Sequence, residues 1–371
     1  MQRILITGGA GFIGSHLADE LLDHGYMVKV LDNLCPQVHG ENAKAPEYLS
    51  SEVEFVYGDV RDMTAVRKAM QGMDAVFHLA ASVGVGQSMY EIAPYTSTNN
   101  YGTSILCQCI ADGCTIGKLI VASSMSIYGE GSYVDPDGLT VPSAVRSAAQ
   151  LRAGKWELLT AEGKELRPVP TAEGKQPDLA SIYALSKYDQ ERMCLITGTA
   201  YNVPTAALRL FNVFGTRQAL SNPYTGVLAI FASRLLNDNA PMIYEDGRQR
   251  RDFVSVRDVV RAMRLVLENP DARDDVYNIG SGRSYAIVEV AAMLAGVMEK
   301  SIDPLITGKY RVGDIRHCFA DISKAQSVLG YTPSIALADG LYELTEWLGD
   351  QISVDRVEAA NQQLTSRGLT L

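Results

Sequence analysis

Thr7-Gly8-Gly9-Ala10-Gly11-Phe12-Ile13-Gly14 is the stretch whose reading decides the fold. Arg3-Ile4-Leu5-Ile6-Thr7, just before and into it, is a short apolar run, and Phe12 to His24 carries a helical pattern. A strand, a glycine-rich turn and a helix in that order can hold a dinucleotide pyrophosphate. Gly8 permits the tight turn, Gly11 lets the backbone approach the phosphates, and Gly14 lets helix pack closely on strand. The helix start at Phe12 and Ile13 offers free N–H groups and a partial positive charge to an anion. Asp32 ends the second apolar run, where a carboxylate hydrogen-bonds ribose hydroxyls and repels a 2′-phosphate. No Arg follows it in Asn33-Leu34-Cys35-Pro36, so the expected cofactor is NAD rather than NADP. Asp59, in Gly58-Asp59-Val60-Arg61-Asp62 after the third run, is placed to contact adenine.

Working outward, strand-like apolar runs recur at 27–31, 53–57, 75–79, 118–122 and 205–210, with helical patterns between them. Strands apolar on both faces that alternate with helices indicate a parallel sheet covered on each side. The fold class expected is α/β, a doubly wound parallel sheet with a smaller α/β substrate lobe. Residues 1–208 make the cofactor-binding domain, with 253–280 returning to it, and 209–252 plus 281–355 make the second lobe. Residues 356–371 read as a polar tail that frays. The segment 128–180 is far longer than an ordinary connection and reads as a folded flap. Trp156-Glu157-Leu158-Leu159 and Glu165-Leu166-Arg167-Pro168-Val169 look like a hairpin within it.

Composition narrows the function classes. Lys and Arg total 33 against 43 Asp and Glu, a net charge of −10, which disfavours nucleic acid as a partner. No apolar run is long enough to cross a bilayer, and the chain enters a strand directly, so neither a membrane partner nor a signal peptide is expected. Cys35, Cys107, Cys109, Cys114, Cys194 and Cys318 show no metal-site or disulfide spacing, which suits a reducing cytoplasm. No metal is expected.

The chemistry rests on Tyr183-Ala184-Leu185-Ser186-Lys187. A free phenol has a pKa near 10 and is a poor base at neutral pH. Lys187 lies one helical turn from Tyr183, so both share a face. Its charge, with that of an oxidised nicotinamide, would stabilise the phenolate. Ser124, at the end of the fifth run, can hydrogen-bond the same substrate oxygen. A cofactor-sensing regulator would need the glycine loop but not Ser124, Tyr183 and Lys187.

These segments resemble the extended short-chain dehydrogenases that act on nucleotide sugars. The resemblance is carried by Thr7 to Gly14, His78-Leu79-Ala80-Ala81, Asn99-Asn100-Tyr101-Gly102-Thr103, Ser123 to Gly129, Tyr183 to Lys187, Leu208 to Gly215 and Arg251 to Val256. It implies a Rossmann-type sheet, catalytic roles for Ser124, Tyr183 and Lys187, and a nucleotide-diphosphate sugar (dTDP- or UDP-linked) as substrate. Gly8, Gly11, Phe12, Ile13, Gly14, Asp32, Asn33, Asp59, Val60, Leu79, Ala80, Ala81 and Asn99 would bind NAD with Tyr183 and Lys187. Ser124, Ser126, Tyr183, Asn212, Arg251, Arg311 and Asp314 would bind the substrate. A homodimer through the helices of Asn99 and Ala180 is also implied.

Family dehydratases carry an Asp-Glu pair directly after the catalytic hydroxyl residue, whereas here Met125 and Ser126 follow Ser124. Dehydration is therefore disfavoured and 4-epimerisation favoured. Within the family, Tyr244 to Arg251, Asn222 to Gly226, Arg311 to His317 and Gly84 to Tyr90 are similar to the dTDP-L-rhamnose 4-epimerase branch. That points to dTDP-6-deoxy-L-talose, a precursor for surface polysaccharide such as O-antigen. UDP-glucose/UDP-galactose 4-epimerisation shares the catalytic parts, and a 4-ketoreductase would consume reduced cofactor. The branch's insertion resembles a zinc ribbon with two Cys-x-x-Cys pairs. The matching turns here, Asp135-Pro136-Asp137-Gly138 and Thr160-Ala161-Glu162-Gly163, have no thiols, so packing, for instance of Trp156, is expected to hold the flap.

Overall fold

The computed structural model describes residues 2–41, 44–141, 145–351 and 354–370. Its main sheet comprises β1 (Arg3–Thr7), β2 (Met27–Asp32), β3 (Glu54–Tyr57), β4 (Ala75–His78), β5 (Lys118–Ser124), β6 (Thr205–Leu210) and β7 (Asp275–Ile279). All neighbours pair in parallel, in the spatial order β7-β6-β5-β4-β1-β2-β3. The winding direction reverses between β1 and β4, which opens a crevice at the carboxyl ends of the strands.

Period-two alternation sorts the strand residues between two cores. Ile4, Ile6, Val28, Val30, Phe77 and Ile120 face one core, and Leu5, Leu31, Val76, Leu119 and Val121 face the other. Because both faces are apolar, helices must cover both. Helix α1 (Phe12–Asp23) places Leu17, Ala18 and Leu21 in the first core. Helices α2 (Met63–Met70), α3 (Gly102–Ala111) and α4 (Ile182–Tyr201) fill the second with Val66, Leu106 and Cys194. Helix α5 (Val256–Glu268) returns to the first core, beside α1, through Val259, Ala262 and Met263, and leads into edge strand β7. The Ser181 hydroxyl starts α4 by accepting the Ala184 N–H at 3.1 Å, a cap worth about 1 kcal/mol.

The second lobe packs helices Val227–Leu236, Ile287–Val297 and Leu337–Leu348 around Phe214, Phe231, Leu294 and Leu344. A small sheet sets Arg250–Arg251 between Tyr285–Ala286 and His317–Cys318.

The 128–180 insertion contains a three-stranded antiparallel sheet in which Ser132–Val134 pairs with both Thr140–Val141 and Arg167–Val169. A Leu159–Glu165 bridge closes its second turn. Its apolar centre is Tyr133, Leu158 and Leu166, with Val141 against them, while Trp156 stays half-buried outside it. The expectation that Trp156 holds the flap is therefore corrected. An ionic cluster ties it to the second lobe instead. Arg316, fully buried, donates to Glu245 Oε2 at 2.8 Å and Asp246 Oδ1 at 2.6 Å, and its Nε donates to Glu157 Oε1 at 3.1 Å. Arg146 of the insertion donates to Glu245 Oε1 at 2.6 Å and lies 3.3 Å from Glu130.

The terminal segment also differs from its reading. Val357–Ser366 is a helix that buries Val357, Ala360 and Leu364, and Arg311 pairs with Thr370 beyond it. Its polar composition concealed a narrow apolar stripe at helical spacing. Among the described residues, no helix is long and apolar enough to cross a membrane.

Candidate active site

The glycine turn is tightly packed at two positions and open at a third. A Cβ on Gly8, whose φ is +71°, would lie 2.8 Å from the Ala80 backbone, and one on Gly14 would lie 2.4 Å from the Gly8 carbonyl oxygen. Both glycines are demanded by the protein's own packing. At Gly11 a Cβ would meet only the Gly8 oxygen, at 3.4 Å, so that flank stays open for a ligand to approach. Phe12 and Ile13 open α1 directly beyond it.

Asp32 is buried and accepts the Ala10 N–H at 3.0 Å and the Leu34 N–H at 2.9 Å. Each carboxylate oxygen has two lone-pair sites, so capacity for hydroxyl donors remains. Asn33 donates to Asp59 at 2.9 Å, and Arg61 grips the same carboxylate at 2.8 Å. The Arg61 hydrogen bonds, more than Asn33, hold Asp59 down at about 2 despite its partial burial. Val60 is buried beneath Gly102. Leu79 and Ala80 follow β4 and take hydrogen bonds to Thr7, with Ala81 next in the same crevice.

Ser124 ends β5, and its Oγ accepts from Ser126 Oγ at 2.9 Å and Ser126 N at 3.2 Å. Tyr183 and Lys187 project from the first turns of α4, and the Ser124 hydroxyl acts on the Tyr183 phenol by favouring its ionised form. Burial raises the Tyr183 pKa, and Ser124 only partly offsets this. The protein alone therefore does not depress the phenol as its spacing from Lys187 suggested. Lys187 is spent differently: its Nζ donates to Gln190 Oε1 at 2.6 Å. Burial pushes Lys187 down to about 8, with Cys194 and Glu191 opposing. A resident cation beside the phenol would supply what Lys187 does not.

The surroundings of this pair were not singled out from sequence. Gln190 Nε2 donates to Thr103 Oγ1 at 2.8 Å and so locks the amide that holds Lys187. His78 bonds Thr7 and Thr103, each at 2.8 Å, and burial, aided by Lys187, lowers it to about 3, so it is a neutral spacer. Tyr95 meets the Tyr183 ring edge-on at 6.4 Å. A His, a Gln and a Thr far apart in the chain have no local pattern that would reveal this. Asn99 sits on a π-helical turn, Thr96–Tyr101, and is fully buried. It accepts from Ser82 N at 2.7 Å and donates to Ser186 Oγ, on α4, at 2.9 Å. Its amide thus fixes the loop after β4 to the Tyr183 helix.

The remaining candidates lie in the chain beyond β6. Tyr183 N donates to Ser88 Oγ at 3.0 Å, and Gly86 in the same turn lies beside Arg311. Arg311 donates to Asp314 Oδ1 at 2.7 Å and stacks on Tyr244 at 5.4 Å. Arg251 donates to the carbonyls of Arg250, Ile315 and Arg316, and so anchors the far end of that loop. Asn212 N donates to Asp252 O at 3.0 Å, one residue from Arg251. Among the described residues, Asn212 Oδ1 and Arg311 Nε are buried without a hydrogen-bond partner. Buried polar atoms of a folded protein are normally hydrogen-bonded, so each of these two can take a partner from a bound group.

Comparison with known proteins identifies relatives over nearly the whole chain. The profile of the NAD dependent epimerase/dehydratase family matches residues 4–150 and 160–280. The chain is 34% identical to a dTDP-L-rhamnose 4-epimerase of Burkholderia thailandensis over 95% of its own length and 96% of that protein. A UDP-glucose 4-epimerase of Thermotoga maritima, solved with UDP-glucose, is 30% identical with a TM-score of 0.76 over 94% of this chain and 99% of that one. A UDP-glucuronic acid 4-epimerase of Bacillus cereus, solved with UDP-glucuronic acid and NAD, is 28% identical with a TM-score of 0.76 and covers 94% and 99%.

Proposed function

The chain belongs to the NAD dependent epimerase/dehydratase family, and from that premise we propose that it is a nucleotide-sugar 4-epimerase converting dTDP-L-rhamnose to dTDP-6-deoxy-L-talose. The observation that carries the reading is Met125 and Ser126 in the positions after Ser124, together with Tyr183 and Lys187 on the first turns of α4. Met125 is buried and Ser126 is turned onto Ser124, so neither can run the acid–base step that water loss requires. The similarity to the Burkholderia protein supports the choice of sugar and nucleotide.

Bound NAD supplies a reversible acceptor for the hydrogen on sugar C4. Ser124 orients the 4-hydroxyl, and Tyr183 takes its proton as the C4–H bond breaks. Lys187, whose Nζ is held by Gln190 Oε1, stands one helical turn from Tyr183, and the positive charge that favours the phenolate would come from the bound oxidised cofactor. The 4-ketosugar turns about its phosphate linkage, and Tyr183 returns the proton when the opposite face is reduced. Nothing is oxidised or reduced overall, so the cofactor stays bound through turnover. Asn212, Arg251, Arg311 and Asp314 are proposed to hold the sugar diphosphate and its nucleoside, and the two unpaired atoms of Asn212 and Arg311 support that role. The cofactor domain and the substrate lobe are assigned as residues 1–208 with 253–280, and 209–252 with 281–355. A homodimer is proposed through α3, α4 and the turn before α3, where Ile92, Tyr101, Leu185 and Ile196 are exposed.

An NMR assay offering dTDP-L-rhamnose and UDP-galactose side by side tests the substrate. Appearance of the 6-deoxytalose product without added reduced cofactor is expected. Conversion of UDP-galactose alone would move the reading to UDP-glucose/UDP-galactose 4-epimerisation, and stoichiometric consumption of reduced cofactor would make it a 4-ketoreductase.

Asp32→Ala is expected to weaken NAD binding by about 10- to 100-fold, the range for a lost hydrogen bond to a charged group. Titration with NAD measures it. Unchanged affinity would show that Asp32 only braces Ala10 and Leu34 and touches no ribose.

A further inference from the structure

We infer that Gln37, Gln87 and Asn222 form a clasp across the dinucleotide groove and set how slowly the cofactor leaves. Gln37 lies in the short helix Pro36–His39 beyond β2, and Gln87 in Val85–Ser88 beyond β4. Their amides bond reciprocally. Gln37 Nε2 donates to Gln87 Oε1 at 2.9 Å, and Gln87 Nε2 donates to Gln37 Oε1 at 3.1 Å. Gln37 Nε2 also donates to Asn222 Oδ1, from the second lobe, at 3.0 Å.

Strand order places this bridge. β1 pairs with β2 on one side and β4 on the other. A link between the segments following β2 and β4 therefore crosses the carboxyl end of β1, where the Gly8 to Gly14 turn begins. On this inference a pyrophosphate held at that turn would have to pass the link to leave.

The arms are not equivalent. Gln87 and Asn222 are only 6% and 8% exposed, whereas Gln37 is exposed. Gln87 Oε1 also accepts from Tyr95 OH at 3.2 Å, and Asn222 Oδ1 from Tyr224 N at 3.1 Å. Both acceptors are thus held in place by other groups, and Gln37 is the arm free to swing. Neutral amides make a closure that neither titrates nor is screened by salt. An enzyme that returns hydrogen to the sugar it took it from needs such retention, so this inference rests on the proposed epimerase reading.

The test measures bound NAD in purified protein and its release rate into a scavenging dehydrogenase. Wild type should retain NAD, and Gln37→Ala should release it about tenfold faster or more, as expected for three lost hydrogen bonds. Asn222→Ala, which removes one of the three clasp bonds along with the Tyr224 N contact, should fall between. Gln37→Glu serves as a second variant: it loses both donated bonds but keeps the acceptor for Gln87. Release from both Gln37 variants at the wild-type rate would overturn the clasp. Should wild type shed NAD during turnover, the epimerase reading fails instead. The clasp then stands or falls on whether the NAD dissociation constant rises in Gln37→Ala.

Discussion

Tyr183→Phe is expected to lower kcat by about 10³-fold, because it deletes the group proposed to exchange a proton with the sugar hydroxyl. The loss corresponds to about 4 kcal/mol of transition-state stabilisation. The ring itself remains, so its edge-on contact with Tyr95 at 6.4 Å persists and the fold should be unaffected. NAD content and thermal midpoint are therefore expected to match wild type while turnover collapses. The separation of these readouts matters, since an unfolded variant would lose all three together. A rate within a few-fold of wild type would rule out Tyr183 as the base. Ser124 would then be the next hydroxyl to test, as it is the group that favours the ionised Tyr183 phenol.

Arg209→Met is expected to give the largest loss of stability, about 3–5 kcal/mol, as for one partner removed from a buried ion pair. Arg209 on β6 grips Glu191 on α4 through Nε to Oε2 at 3.0 Å and Nη2 to Oε1 at 2.7 Å. Both are buried, at 5% and 1% exposed. Ser123 Oγ adds a bond to Glu191 Oε2 at 2.7 Å from the residue preceding Ser124. This group therefore fixes the distance between the Ser124 strand and the Tyr183 helix. Without Arg209, Glu191 keeps a buried charge that one serine cannot offset. The thermal midpoint should fall by roughly 4–6 °C. Arg209→Met combined with Glu191→Leu should recover most of that loss, because no lone charge is then left buried. A single variant within about 1 kcal/mol of wild type would show that water reaches the pair.

How much of this was legible beforehand follows the range of the forces involved. The glycine turn and the strands β1 to β6 were read within a residue or two, because strand period and turn chemistry are local properties of the chain. Edge strand β7 carries a weaker pattern, with Asp275 and Asn278 in a five-residue strand, and only its pairing with β6 identifies it. The terminal helix Val357–Ser366 was misread because three apolar contacts, not composition, hold it. The flap was recognised as folded, but its anchor was sought in Trp156. Arg316 and Arg146 hold it instead, through carboxylates as far as 159 positions away in the chain.

The chemical inventory of the site belonged to the sequence alone: a glycine turn, a carboxylate after the second strand, a serine, and a phenol one helical turn from an ammonium. These are short motifs whose side chains are oriented by the backbone of a single element. Tertiary structure alone decided how each group is used. It gave Lys187 to Gln190, raised the Tyr183 phenol by burial, tied Asn99 to Ser82 and Ser186, and joined Gln37 to Gln87 and Asn222. The physical reason is that burial and hydrogen-bond partnership are properties of a packed interior, and strand order, not chain order, determines which residues meet there.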